Sequence, residues 1–154
     1  MNPSDNLIYM LHKLGAMMEH QSDVVLFDSF GVGYSQFKIL LALDYHPHVQ
    51  QKEIAMFLGQ TEASISRQIG LLRASELVNI DRAEDDKKKN IVSLTSRGKK
   101  LSAQALARLN EFYEPVLSSV PKQEQAVILS GMCSLQDKLE EMCAHSKINM
   151  KETI

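Results

Sequence analysis

A chain of 154 residues with 44% hydrophobic and 23% charged residues has a globular composition and is long enough to bury a core as one domain. Aromatic residues are few, with no Trp, while Met numbers eight and Pro four, a balance that favours helices. A net charge of −2 excludes a protein whose binding rests on overall positive charge, and no apolar run approaches the roughly 18–20 residues that cross a membrane.

The charge is unevenly spread. Residues 50–100 carry ten Lys or Arg against seven acids, a net of +3, which leaves −5 for the remainder. Asp86–Lys100 alone holds six bases and one acid. A basic module on an acidic frame is the electrostatic footprint of a nucleic-acid contact; a solvated lysine-rich loop would give the same count. Cys133 and Cys143 fall on different sides of one predicted helix at about 3.6 residues per turn, so they cannot bridge within it. They read as packing residues. Two isolated cysteines and no secretion signal predict a reducing, cytoplasmic setting.

In chain order, Met1–Asp5 is a polar start in which Ser4 or Asp5 is expected to cap a helix. That helix carries one apolar stripe of Leu7, Leu11, Leu14, Met18 and Val25, and a second of Met10, Met17 and Val24. An amphipathic surface helix needs one stripe, so burial on more than one side is expected, with a partner subunit as the natural place for the surplus. Phe30–Gly33 breaks the pattern. Ser35 is the expected N-cap of a second helix whose apolar side is Phe37, Leu40, Leu41 and Leu43, and which stops ahead of Pro47. Val49 lies in an extended link.

A short third helix, Lys52–Leu58, turns Ile54, Ala55 and Leu58 inward. Gly59 suits a left-handed C-terminal position, and Thr61 suits the N-cap of a fourth helix. Only Gly59-Gln60-Thr61 joins the two, the tight link of a helix-turn-helix. In the fourth helix Ile65, Ile69 and Leu72 form the buried stripe, opposite Ala63, Ser66, Arg67 and Gly70. An exposed face has no packing reason to be small, and a mid-helix Gly costs about 1 kcal/mol relative to Ala. Small residues around one Arg suit close approach to the major groove of duplex DNA. Leu77–Ile80 and Ile91–Thr95 read as two strands, and Arg82–Asn90 between them as a charged hairpin tip. Its Lys87, Lys88 and Lys89 are placed to neutralise phosphates or enter a minor groove.

Thr95 is the expected cap of a fifth helix with Leu101, Ala105 and Leu109 inward and Leu106 and Phe112 flanking, ended or bent at Pro115. Pro121 suits the first position of a sixth, on which Ile128, Met132, Leu135, Leu139 and Met142 share one face. With the first helix, this seam predicts a helical dimer interface. The tail after His145 reads as loosely ordered. The fold class is therefore mainly α with a small β-hairpin wing: a winged helix-turn-helix dimerised through its N- and C-terminal helices. One domain spans 1–154, with a DNA-binding lobe at 34–98 and a helical dimerisation lobe at 5–30 and 99–145. No nucleophile elbow, phosphate-binding glycine loop or metal-ligand pattern is present, so the sequence gives no reading as an enzyme and calls for no cofactor.

Ser35-Gln36-Phe37, Leu40-Leu41, Ile54-Ala55, Leu58-Gly59, Thr61, Ser64–Ile69, Leu72, Leu77-Val78, Arg82, Asp86, Val92 and Leu94–Gly98, taken in order, resemble the MarR family of bacterial transcription regulators. The resemblance implies a homodimer on double-stranded DNA at a pseudo-palindromic operator, acting as a repressor in the cytoplasm. By position, Ala63, Ser64, Ser66, Arg67 and Gln68 fall where the family contacts bases and phosphates, and Gln36 and Thr61 near the backbone. Arg82, Lys87, Lys88 and Lys89 complete the DNA-binding set, with Asp86 steadying the wing. The family commonly binds a small aromatic or phenolic effector, for which Met17, Met18, Tyr45 and His46 are candidate lining residues. Three departures stand out: Lys88 for the usual wing arginine, Glu76 where a Gly often follows the recognition helix, and Glu62 at the start of that helix. The alternative reading is a winged-helix protein-interaction module that binds an acidic partner.

Overall fold

The computed structural model describes residues 6–82 and 90–151, with side chains for 6–81 and 90–142. The described elements are α1 (Leu7–Phe30), α2 (Tyr34–Tyr45), β1 (Val49–Gln50), α3 (Gln51–Leu58), α4 (Glu62–Ala74), β2 (Val78–Arg82), β3 (Asn90–Leu94), α5 (Ser96–Ser118) and α6 (Lys122–Lys151). The chain forms two compact units, Met1–Glu111 and Phe112–Ile154. No single helix among the described residues is long and apolar enough to cross a membrane.

Asn6, rather than Ser4 or Asp5, caps α1 by accepting the Tyr9 N–H at 3.1 Å. Only Ser22, Val25 and Leu26 of α1 are buried, so within one chain both apolar stripes lie open along most of their length. Gly31, at φ 68°, ends the helix, and α2 leaves at 83° to it. The cap of α2 is Gly33 and not Ser35. Asp23, eleven residues back on α1, accepts the Tyr34 N–H at 2.7 Å, and Gln36 takes the Gly33 N–H at 3.0 Å. A carboxylate at a helix N-terminus satisfies an otherwise unpaired donor and complements the helix dipole. Lys38 bonds Glu19 at 2.8 Å with its ammonium 5.0 Å from the centre of the Tyr34 ring, a second tie between the two helices.

The core of the first unit gathers Ile39, Leu40, Leu43, Ile54, Ile65, Ile69, Leu72, Leu77, Val78 and Val92. Burying each such side chain stabilises the fold by about 1.5–3 kcal/mol relative to exposure. Leu41 is only partly buried; Ile39 takes the fully buried place. The expected hairpin is the larger part of a three-stranded antiparallel sheet in the order β1-β3-β2, and the Val49 link is its third strand. Val49 and Ile80 flank Val92 from either side, an apolar row across the sheet. Asn79 and Asp81 alternate outward, as the two-residue strand period requires.

In α5, Thr95 is the cap as expected, accepting the Gly98 N–H at 2.9 Å, and Ala105 and Leu109 are buried. Pro115 does not end the helix, which continues to Ser118. A proline removes the bond to the carbonyl four residues earlier and crowds that same carbonyl. Here that is Glu111, the last residue of the first unit. Pro121 sits one residue ahead of α6, its carbonyl accepting the Gln125 N–H at 3.0 Å. Gln125 reaches back with its side-chain amide to the Leu117 and Val120 carbonyls, both at 2.8 Å, and closes the elbow of the second unit. The helix runs past His145 to Lys151. Cys133 is exposed and not a packing residue within the chain.

Gly98 marks the closest approach in the first unit. A Cβ there would lie 1.9 Å from the Leu77 carbonyl oxygen, a backbone atom with no rotamer to yield. Gly98→Ala is expected to lower stability by about 3 kcal/mol, the upper end for overpacking, seen as a fall in the urea midpoint. A variant that unfolds with the wild-type midpoint would contradict the contact.

Candidate nucleic-acid interface

The interface is built from α4 outward. Gly59 (φ 61°) ends α3 with its N–H on the Met56 carbonyl, while the Gln60 N–H reaches the Ala55 carbonyl at 3.0 Å. This paired closure suits a left-handed residue, which glycine adopts without strain. Thr61 then caps α4, accepting the Ser64 N–H at 3.2 Å. The short link holds the two helices of the motif together.

Ile65, Ile69 and Leu72 are completely buried, which fixes the rotation of α4 about its axis. Ala63, Ser64, Ser66, Arg67 and Gly70 are thereby turned to solvent. A Cβ at Gly70 would have no neighbour within 4 Å. Gln68 is half-buried on the flank, and Thr61 is exposed at the helix start. Gln36 is not on this face: it is half-buried in the α2 cap, with its side-chain oxygen on the Gly33 N–H. Glu62 lies in the first turn of α4, where the positive end of the helix dipole favours an acid.

The other end of α4 explains the departure at Glu76. Its backbone has φ 59°, the left-handed region. The Glu76 N–H bonds the Arg73 carbonyl and the Leu77 N–H bonds the Leu72 carbonyl, both at 2.9 Å, the same closure that Gly59 makes on α3. Glutamate occupies a glycine position there. The Glu76 carbonyl accepts the Thr95 hydroxyl at 2.8 Å, and its carboxylate meets Arg97 at 3.4 Å. Both partners of that ion pair are largely exposed, so it contributes little. Beside this turn, a cavity of about 390 Å³ is lined by Arg73, Glu76, Val78, Asn79, Ile80, Asp81 and Thr95, which sequence reasoning missed.

The wing residues Asp86, Lys87, Lys88 and Lys89 lie outside the described residues, as does the side chain of Arg82, whose backbone pairs with Asn90 at the last register position of the sheet. Of the effector candidates, Met17, Met18 and Tyr45 are exposed, while His46 stacks on Phe57 at 4.9 Å between ring centres. The two described cavities are lined by other residues.

A short helix, a three-residue turn, an outward helix with a small-residue face and a sheet closing behind it define a winged helix-turn-helix of the kind that docks on duplex DNA. The model of the MarR family matches residues 30–89, the stretch that holds most of the winged helix-turn-helix. Solved structures share the fold over most of the chain. MepR of Staphylococcus aureus, in complex with DNA, is 18% identical with a TM-score of 0.74, covering 86% of this chain and 98% of that one. The transcriptional repressor CouR, bound to a 23-mer DNA duplex, is 23% identical with a TM-score of 0.77, covering 86% and 94%. The PcaV regulator of Streptomyces coelicolor, with its natural ligand, is 18% identical with a TM-score of 0.72, covering 89% and 96%. Among curated proteins, none matches the sequence.

Left-handed backbone costs a residue with a Cβ about 1–2 kcal/mol. Glu76→Gly relieves that cost but enlarges the unfolded ensemble, so a net gain of about 0.5–1 kcal/mol is expected in urea unfolding. A loss of stability would show that the Glu76 side chain contributes more than its backbone strain removes.

Proposed function

We propose that the chain is a homodimeric, sequence-specific DNA-binding transcription regulator, acting as a repressor at a pseudo-palindromic operator. The observation that carries this reading is the outward face of α4. Its back is held by three fully buried side chains, while Ala63, Ser66, Arg67 and Gly70 stand open to solvent. Nothing in the fold requires those residues to be small. A helix with such a face enters the major groove closely, and Arg67 can grip guanine or phosphate there. Thr61, Ser64 and Gln68 contact the edges of the same groove. Gln36 acts from behind, by fixing the start of α2.

The sequence places Arg82, Lys87, Lys88 and Lys89 in the wing, with Asp86 as their support. Lysine lacks the planar fork of arginine, so Lys88 serves phosphate neutralisation better than shape recognition. Lobe 34–98 is the DNA-binding part, and 5–30 with 99–145 the dimerising part. Two features support the dimer: the open apolar stripes of α1 and, in the second unit, the exposed seam Ile128, Met132, Leu135, Leu139 and Met142. A cytoplasmic regulator of this kind is completed by a small aromatic or phenolic effector near Met17, Met18, Tyr45 and His46. Such a ligand shifts DNA binding only if its affinity differs between two arrangements of the recognition helices.

The purified chain is expected to shift a palindromic duplex as a dimer, with affinity falling steeply as salt rises. Arg67→Ala should abolish specific binding. Lys88→Ala should keep the preferred site and make the salt slope shallower by about two, one phosphate contact per subunit. Failure to retain any genomic fragment at moderate salt would favour an acidic protein partner instead, and normal operator binding by Arg67→Ala would refute the assignment of the face.

A further inference from the structure

Three polar side chains stand at the start of α4, and their hydrogen bonds differ in direction. Thr61 Oγ1 accepts the Ser64 N–H at 3.2 Å, so the Thr61 hydroxyl keeps its own proton to donate. Ser64 is the reverse case. Its Oγ donates to Gln60 Oε1 at 3.2 Å. A serine hydroxyl has one proton, so an Oγ that has donated presents only lone pairs. Gln60, with its carbonyl oxygen engaged, presents the two N–H donors of its amide. Gln60 is half-buried, and its own backbone N–H is tied to the Ala55 carbonyl in the turn after Gly59. Ser64 is exposed, on the flank of the outward face one position from Ala63 and three from Arg67.

We infer that Gln60 is a specificity-determining positioning residue: by taking the one proton of Ser64, it makes that side chain a hydrogen-bond acceptor toward DNA. This rests on the DNA-binding reading above. In the major groove, adenine N6 and cytosine N4 carry amino donors, while guanine O6 and thymine O4 are acceptors. A serine hydroxyl left to rotate serves either kind, and discriminates poorly for that reason. Held as an acceptor, Ser64 selects an amino base over a keto base at the position it faces. The donors of the Gln60 amide and the Thr61 hydroxyl, beside it at the helix start, meet phosphate oxygens, which only accept. One turn of chain thus separates a backbone contact from a base contact by hydrogen-bond direction.

The test is selection from a randomised duplex library by the full chain, with thermal melting of each variant as a check on folding. The wild type should favour adenine or cytosine over guanine or thymine at one position in each half-site. In Gln60→Leu that preference should fall about fivefold or more while the other positions keep theirs. Gln60→Glu, whose carboxylate still accepts from Ser64, should retain the preference with weaker overall affinity. Ser64→Ala should remove the preference, and adding Gln60→Leu to it should change nothing further. An unchanged preference in a folded Gln60→Leu, its loss in Gln60→Glu, or a wild-type preference for a keto base would overturn the inference and leave the DNA-binding reading standing. A wild-type protein that enriches no sequence would overturn that reading itself.

Discussion

Leu77 is the residue through which the first unit is held in register. Its N–H closes the end of α4 on the Leu72 carbonyl at 2.9 Å, and its carbonyl accepts the Thr95 N–H at 3.1 Å. Its side chain is buried to 1% exposure, and Gly98 comes so near its carbonyl that no Cβ fits between them. One peptide therefore fixes the end of the recognition helix, the start of β2 and the start of α5 together. The Thr95 hydroxyl reinforces the junction twice, donating to the Glu76 carbonyl and accepting the Gly98 N–H. With these groups paired, β2 and β3 cannot drift against α4 without breaking several hydrogen bonds at once.

From that constraint the binding face follows. Packing alone decides which side of α4 is hidden, because Ile65, Ile69 and Leu72 recur at helical spacing and are all removed from solvent. The opposite side is then offered by default, and its composition carries the functional information. The short side chains add no bulk around Arg67, so the helix backbone can lie near a partner surface. The local basic excess across residues 50–100, set against the acidic remainder, is the charge pattern that the proposed DNA-binding function calls for.

Local chemistry was legible in the sequence; distant chemistry was not. Gly59, Thr61 and Thr95 act where expected because each meets neighbours within four residues, and the α4 stripe follows from periodicity alone. The cap of α2 escaped because its acceptor, Asp23, comes from another helix, and Ser35 was the nearer candidate. The third strand is two residues long and exists only because β3 lies beside it. Pro115 reads as an end or a bend of α5, yet a proline late in a long helix loses one hydrogen bond and adds one clash, and the helix continues past it. The crowding at Gly98 and the left-handed backbone at Glu76 are properties of the Leu77 junction, visible once its parts are assembled. At the site, the expected face of α4 is exposed as a unit, while the capping bond of Gln36 and the bond between Ser64 and Gln60 are visible only in the structure.

The proposed function requires that α4 lie in the major groove. Methylation protection addresses this directly, since guanine N7 is reachable only from that groove. On a duplex retained by the protein, two groups of protected guanines about 10 base pairs apart are the expected result, one for each recognition helix of a dimer. A duplex that stays bound with every guanine N7 still open to methylation would contradict it.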